Sequence, residues 1–265
     1  AVRDRYAAGA KSREDSLCCP VDYDRKYLEV IPEEVIARDY GCGDPSKYLH
    51  PGETVLDLGS GTGWFTGQLA SIPGSQVTGV DIAAGMLRYA RSVNPSGIRW
   101  IEADAEALPL PDNSVDVVFS NLMIQWCRDP AGVLAECRRV LRPGGRLVVS
   151  EPCNDSWLVR TARRCLYVLS NRFEEADEGY SSDEFNRCIR SAGFRILESR
   201  RFGYLAYALA GFPDIVPILK VLPFARGLTS VLIRVDRVIE RVPGLAGMGF
   251  HIMVTAERDE NCGDS

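Results

Sequence analysis

The chain has 265 residues, 46% of them hydrophobic, with nine cysteines and a formal net charge of −5. That length and apolar content can bury a full core, read as one domain with appendages. The acidic balance argues against a general nucleic-acid binder, because phosphate contacts need clustered cations. No apolar run reaches the roughly 18 residues that would span a bilayer, and no signal-peptide pattern follows Ala1. Cysteines without an evident pairing framework, in an enzyme-like α/β chain, read as reduced thiols in a cytoplasmic compartment.

In chain order, residues 1–50 are expected as a mostly helical leader or cap, and residues 51–152 as the ligand-binding half of an α/β sheet. Residues 153–256 complete the same domain as a helical cover, a lid and the last two strands, and 257–265 form a tail. The first strand, Val55 to Leu58, carries Asp57 and runs into the turn Gly59-Ser60-Gly61-Thr62-Gly63-Trp64. Its glycines permit the turn and a close ligand approach, and the helix that follows offers N–H groups to an anion. A dinucleotide pattern would place its third glycine where Trp64 stands. The next strand, Gln76 to Asp81, ends in a carboxylate placed to accept both hydroxyls of a ribose. A third strand, from Trp100, is expected to end in Asp104, and a fourth, Val115 to Asn121, in a polar amide. The fifth, Gly145 to Glu151, follows a turn at Leu141-Arg142-Pro143-Gly144. Polar groups thus gather at the strand carboxyl ends, where open α/β sheets bind ligands. A helix over Ser182–Ala192 is expected to bury Phe185, Cys188 and Ile189 and to stop at Gly193. A sixth strand then runs from Phe194 to about Phe202. Residues 203–247 are too long and apolar for a loop and read as a helical lid.

This ordered set resembles the class I S-adenosylmethionine-dependent methyltransferases from about Glu53 to Glu151, and more loosely to residue 200. The resemblance implies a Rossmann-like sheet of seven strands whose last, near Gly249–Ala256, inserts antiparallel. It places the methionine part of the cofactor near Asp57, Gly59, Ser60 and Gly61, and the ribose on Asp81. The adenine would lie beside Ile82, Met86, Asp104 and Ala105, with the methyl-transfer mouth at Asn121. A cofactor without a pyrophosphate suits this glycine-turn variant.

The acceptor is read as a small molecule, and two resemblances divide over it. Tyr6, the pair Cys18-Cys19 and the stretch Asp39 to Pro45 resemble the entry region of arsenite methyltransferases. That likeness implies trivalent arsenic held by Cys18, Cys19 and Cys42, with Tyr6, Cys42 and Asn121 at the reacting centre. The chain departs from that family by carrying Leu122 where a cysteine should follow Asn121, and Cys127 and Cys153 are the candidate replacements. Cys137, Cys165 and Cys188 read as small buried hydrophobes. The lid, with its dense apolar set and an arginine stripe at Arg234, Arg237 and Arg241, points instead to C-, O- or N-methylation of a lipophilic metabolite, or to peripheral membrane contact. If a base is needed, His251, Tyr6 and Glu151 are candidates, although methyl transfer from a sulfonium proceeds largely by positioning. A thiol-based metal-binding module and a dinucleotide oxidoreductase are the readings from other classes.

Overall fold

A computed structural model of the chain describes residues 48–94, 96–169, 179–205, 225–242 and 244–259. The leader up to residue 47, lid residues 206–224 and the last six residues lie outside the described set. The described elements run β1 (Thr54–Leu58), α1 (Trp64–Ala70), β2 (Gln76–Asp81), α2 (Ala84–Val93), β3 (Arg99–Glu102), β4 (Val115–Asn121), α3 (Pro130–Val140), β5 (Leu141–Pro152), α4 (Trp157–Leu169), α5 (Ser182–Ser191), β6 (Phe194–Phe202), α6 (Ala225–Ile239) and β7 (His251–Arg258). Short 3₁₀ turns occupy Ile124–Trp126 and Ala246–Met248.

The strands form one seven-stranded sheet in the order β3-β2-β1-β4-β5-β7-β6. β1 to β5 are parallel, and β7 inserts antiparallel between β5 and β6. The central strands are short runs rich in Val, Leu and Phe because helices cover both their faces. Successive residues therefore enter different cores. Val55, Val117, Phe119 and Val148 pack with Leu69 of α1 on one face. Leu56, Leu58, Val118, Leu147 and Val149 pack with Leu134 of α3 and Ile189 of α5 on the other. The chain goes outward from β1 in one direction and then returns to lay β4 on its other side. That reversal opens a crevice at the carboxyl ends of β1 and β4, which is where such sheets take ligands.

Three expected details differ. The third strand ends at Glu102 rather than Asp104. Asp104 instead opens a turn, its carboxylate accepting the Glu106 N–H at 3.0 Å and its carbonyl the Ala107 N–H at 3.1 Å. Leu141 to Gly144 is not a turn ahead of the fifth strand but an irregularity inside β5. Leu141 pairs with Val115 and the register then jumps to Arg146 opposite Val117, with Gly144 at φ 72°. The helix does begin at Ser182 as expected, capped by Ser181, whose hydroxyl accepts the Glu184 N–H at 3.2 Å. The last strand runs from His251 through Arg258, two residues later than expected and into the stretch assigned to the tail. Its far end stays paired because Arg258 lies opposite Phe194 of β6.

Candidate functional site

Three acids stand at the carboxyl-end side of β1, β2 and β5, each held differently. Asp57 of β1 is buried and accepts a hydrogen bond from the Thr66 hydroxyl at 2.5 Å. Burial raises its pKa to about 7, against the Thr66 bond and with a smaller push from the like charge of Asp81. Asp81 of β2 accepts the Gly61 N–H at 2.8 Å on one oxygen and the Ala83 N–H at 2.8 Å on the other. Burial raises its pKa as well, opposed by those backbone bonds. Glu151 of β5 is fully buried, and burial takes it to about 8 despite N–H bonds from Met123, Ile124 and Gln125.

The glycine turn is tied to β2 through its own amides. Gly59 and Ser60 donate to the Val80 carbonyl at 2.8 and 2.9 Å, and Gly61 donates to Asp81. All three glycines adopt left-handed φ, 76° at Gly59, 51° at Gly61 and 78° at Gly63, which explains the residue type. Their surroundings separate them further. A Cβ on Gly59 would come within 2.4 Å of the Met123 side chain, and one on Gly63 within 2.6 Å of Trp100 and 2.9 Å of Ala90. A Cβ on Gly61 would meet no protein atom within 4 Å, so this position faces open space at the strand ends.

The other expected positions that are described lie on or just after β2, β3 and β4. Ile82 and Ala105 are half-buried, Asp104 sits in its turn just past β3, and Met86 is buried in the first turn of α2. Asn121 ends β4, half-buried and paired in register with Ser150. Tyr6, Cys18, Cys19 and Cys42 lie outside the described residues. The two cysteines weighed as replacement thiolates are poor ones. Burial, then the nearby Glu151, Glu106 and Asp104, pushes the Cys127 thiol up to about 12. Burial likewise raises Cys153, whose sulfur lies 3.2 Å from both Asp155 and Ser182. Among the described residues no cluster of three or more His, Cys, Asp or Glu could hold a metal ion. Cys137 is buried as expected, Cys188 is half-buried, and Cys165 is exposed. His251 is buried on β7 and stacks on Phe202 with ring centroids 5.4 Å apart.

The packing role of Gly63, whose partner Trp100 also lies over Gly79, depends on a residue remote in sequence. The signal was the third glycine itself: it stands one position before the dinucleotide pattern requires, where β3 crowds the turn.

A family model described as a methyltransferase domain matches residues 56–149, which run from β1 through β5. A malonyl-[acyl-carrier protein] O-methyltransferase of Methylococcus capsulatus is 52% identical over 217 residues, covering 74% of each chain. Among solved structures, the Haloferax volcanii complex between the Trm112 methyltransferase activator and a putative methyltransferase matches with a TM-score of 0.60 at 21% identity, covering 98% of this chain and 100% of that one. Haemonchus contortus phosphoethanolamine N-methyltransferase 2, in complex with S-adenosyl-L-methionine, matches at 0.58 and 18% identity, covering 96% of this chain and 60% of that one. Sheet order and strand-end acids define the class I methyltransferase architecture. The chain belongs to the S-adenosylmethionine-dependent methyltransferases of that class, and S-adenosylmethionine is its cofactor.

Proposed function

We propose that this chain methylates a carboxylate oxygen, that of a malonyl group carried as a thioester on an acyl-carrier protein. The observation that carries the reading is the 52% identity to the Methylococcus enzyme over 217 residues. The chemistry agrees with it. A carboxylate is ionised at neutral pH and needs no base, so the reaction calls for placement rather than proton transfer. The bound cofactor supplies a methyl group made electrophilic by its sulfonium.

The residues present fit that cofactor. Gly61 leaves open space beside its backbone that a Cβ would enter, and Asp57 and Asp81 bring two carboxylates to a turn without clustered cations, which suits an amino acid and a ribose better than a pyrophosphate. On this reading Asp81 holds the ribose hydroxyls and Asp57 faces the ammonium of the methionine part, with Gly59 and Ser60 setting the backbone beside it. Ile82, Met86, Asp104 and Ala105 border the adenine, and Asn121 stands at the mouth. Gly61→Ala is expected to fold and to lose more than tenfold in cofactor affinity, whereas Gly63→Ala loses thermal stability first, because its Cβ strikes Trp100. Calorimetry with S-adenosylhomocysteine beside a melting curve checks both. Normal affinity in folded Gly61→Ala would contradict that use of the space.

The arsenic reading has less support. Its three leader cysteines lie outside the described residues, and Cys127 and Cys153 are held as thiols rather than thiolates. The five described cysteines are free, which favours a reducing, cytoplasmic setting, and no described helix is long and apolar enough to cross a membrane. The test is mass spectrometry of a panel incubated with S-adenosylmethionine: malonyl-acyl-carrier protein, a free lipophilic acid and arsenite. Methylation of the malonyl carboxyl, unchanged in Cys42→Ser, is expected. Turnover of arsenite alone, abolished by Cys42→Ser, would replace this reading with the thiol one.

A further inference from the structure

We propose that Glu151 is a positioning residue for methyl transfer, fixing the turn that follows β4 and, through it, the Asn121 mouth against the glycine turn. β4 leaves the sheet at Asn121, and the next residue, Leu122, takes an unusual φ of 53° and donates its N–H to the Ser150 carbonyl at 2.8 Å. The N–H groups of Met123 and Ile124 then converge on one oxygen of Glu151, at 3.0 and 2.7 Å, and the Gln125 amide joins them. Two successive amides at the start of a 3₁₀ turn are thus satisfied by one side chain from the adjacent strand. Met123, held this way, lies over Gly59 so closely that a Cβ there would fall 2.4 Å from its Cγ. Glu151 therefore links the end of β5 to the turn after β4 and, by way of Met123, to the turn after β1.

Its second oxygen is buried and has no hydrogen-bond partner. Among the described residues, the titratable groups shown to interact with Glu151 are the thiol of Cys127, after the 3₁₀ turn, and the phenol of Tyr180, ahead of α5; Asp104 and Glu106 act on Cys127 from beyond. Neither neighbour brings a positive charge. The carboxyl is accordingly neutral through most of the range below pH 8, accepting the amides without placing an anion beside the mouth. With an anionic acceptor its ionisation adds repulsion, so the rate falls as pH rises through about 8; this consequence rests on the carboxylate reading above.

The test compares wild type, Glu151→Gln and Glu151→Ala. A Gln oxygen can take the Met123 and Ile124 amides and cannot ionise. Glu151→Gln is expected to keep the wild-type rate within about threefold at pH 7 and to lose the decline above pH 8. Glu151→Ala is expected to lose more than tenfold in kcat while binding S-adenosylhomocysteine within about threefold. Alkylation of Cys127, whose sulfur lies 3.3 Å from that of Met123, reads the position of the turn without any acceptor. The Cys127 peptide should stay protected in wild type and Glu151→Gln and react faster in Glu151→Ala. Equal protection in all three, or a Glu151→Gln pH profile matching wild type, would overturn the proposal. No turnover of the malonyl carrier by wild type, with the alkylation pattern as expected, would remove the acceptor reading and leave the positioning role standing.

Discussion

Asp81→Ala is expected to weaken S-adenosylmethionine binding by more than tenfold and to be the most damaging single change to cofactor affinity. The carboxylate has two tasks that the substitution removes together. It holds the Gly61 and Ala83 amides at 2.8 Å each, fixing the glycine turn to β2, and on the proposed assignment it takes the ribose hydroxyls with the capacity that is left. Hydrogen bonds to a charged group are each worth about 1.5–3 kcal/mol, and about 1.4 kcal/mol is a decade in affinity, so losing one ribose bond already exceeds tenfold. Asp81→Asn separates the tasks, since its single acceptor oxygen can serve only one of the two amides fully. Calorimetric affinity unchanged in Asp81→Ala would sink the ribose assignment.

The second large effect is on stability. Asp57 and Glu151 have folded-state pKa values raised to about 7 and about 8, against about 3.9 and 4.3 in an unfolded chain. Between those limits the folded protein holds protons that the unfolded chain has released, so stability falls as pH rises from about 4 and levels off once each folded pKa is passed. Asp116, Glu136 and Asp155 are shifted the other way. Their contribution is present above about pH 4 and is lost only on further acidification, so they do not offset the decline. The protein without cofactor should therefore melt several degrees lower at pH 8 than at pH 5, a loss on the order of one to a few kcal/mol. Glu151→Gln should flatten the slope, and a melting temperature that rises steadily from pH 5 to 8 would show that neither acid is held protonated.

The sheet was legible because its strands are short apolar runs punctuated by glycine turns and closed by acids. β4, from Val115 to Asn121, and β6, from Phe194 to Phe202, have the bounds that the residues indicated. The features that escaped depend on partners remote in sequence. Pro143 and Gly144 read locally as a turn, yet the chain stays in the sheet because Leu141 finds Val115 across a register jump. Nothing near Asp104 announces that the last β3 bond is the one from Ala103 N–H to the Asp81 carbonyl. In the site, Asp57 and Asp81 were visible as acids ending apolar runs. Glu151 carries the same signature, yet in sequence it suggests only a candidate base, because its work is done on amides 27 and 28 residues away. The leader resemblance rests on Tyr6, Cys18, Cys19 and Cys42, all outside the described residues.

On the proposed assignment, the carboxyl ends of β1, β2 and β4 form the cofactor site, with its methyl-bearing end at Asn121. A crystal structure with S-adenosylhomocysteine tests this most directly. Both ribose hydroxyls are expected on the Asp81 carboxylate, the amino acid portion against Gly61 and Asp57, and the sulfur turned toward Asn121. The ligand bound with Asp81 still engaged only by Gly61 and Ala83, and its sulfur away from the end of β4, would contradict it.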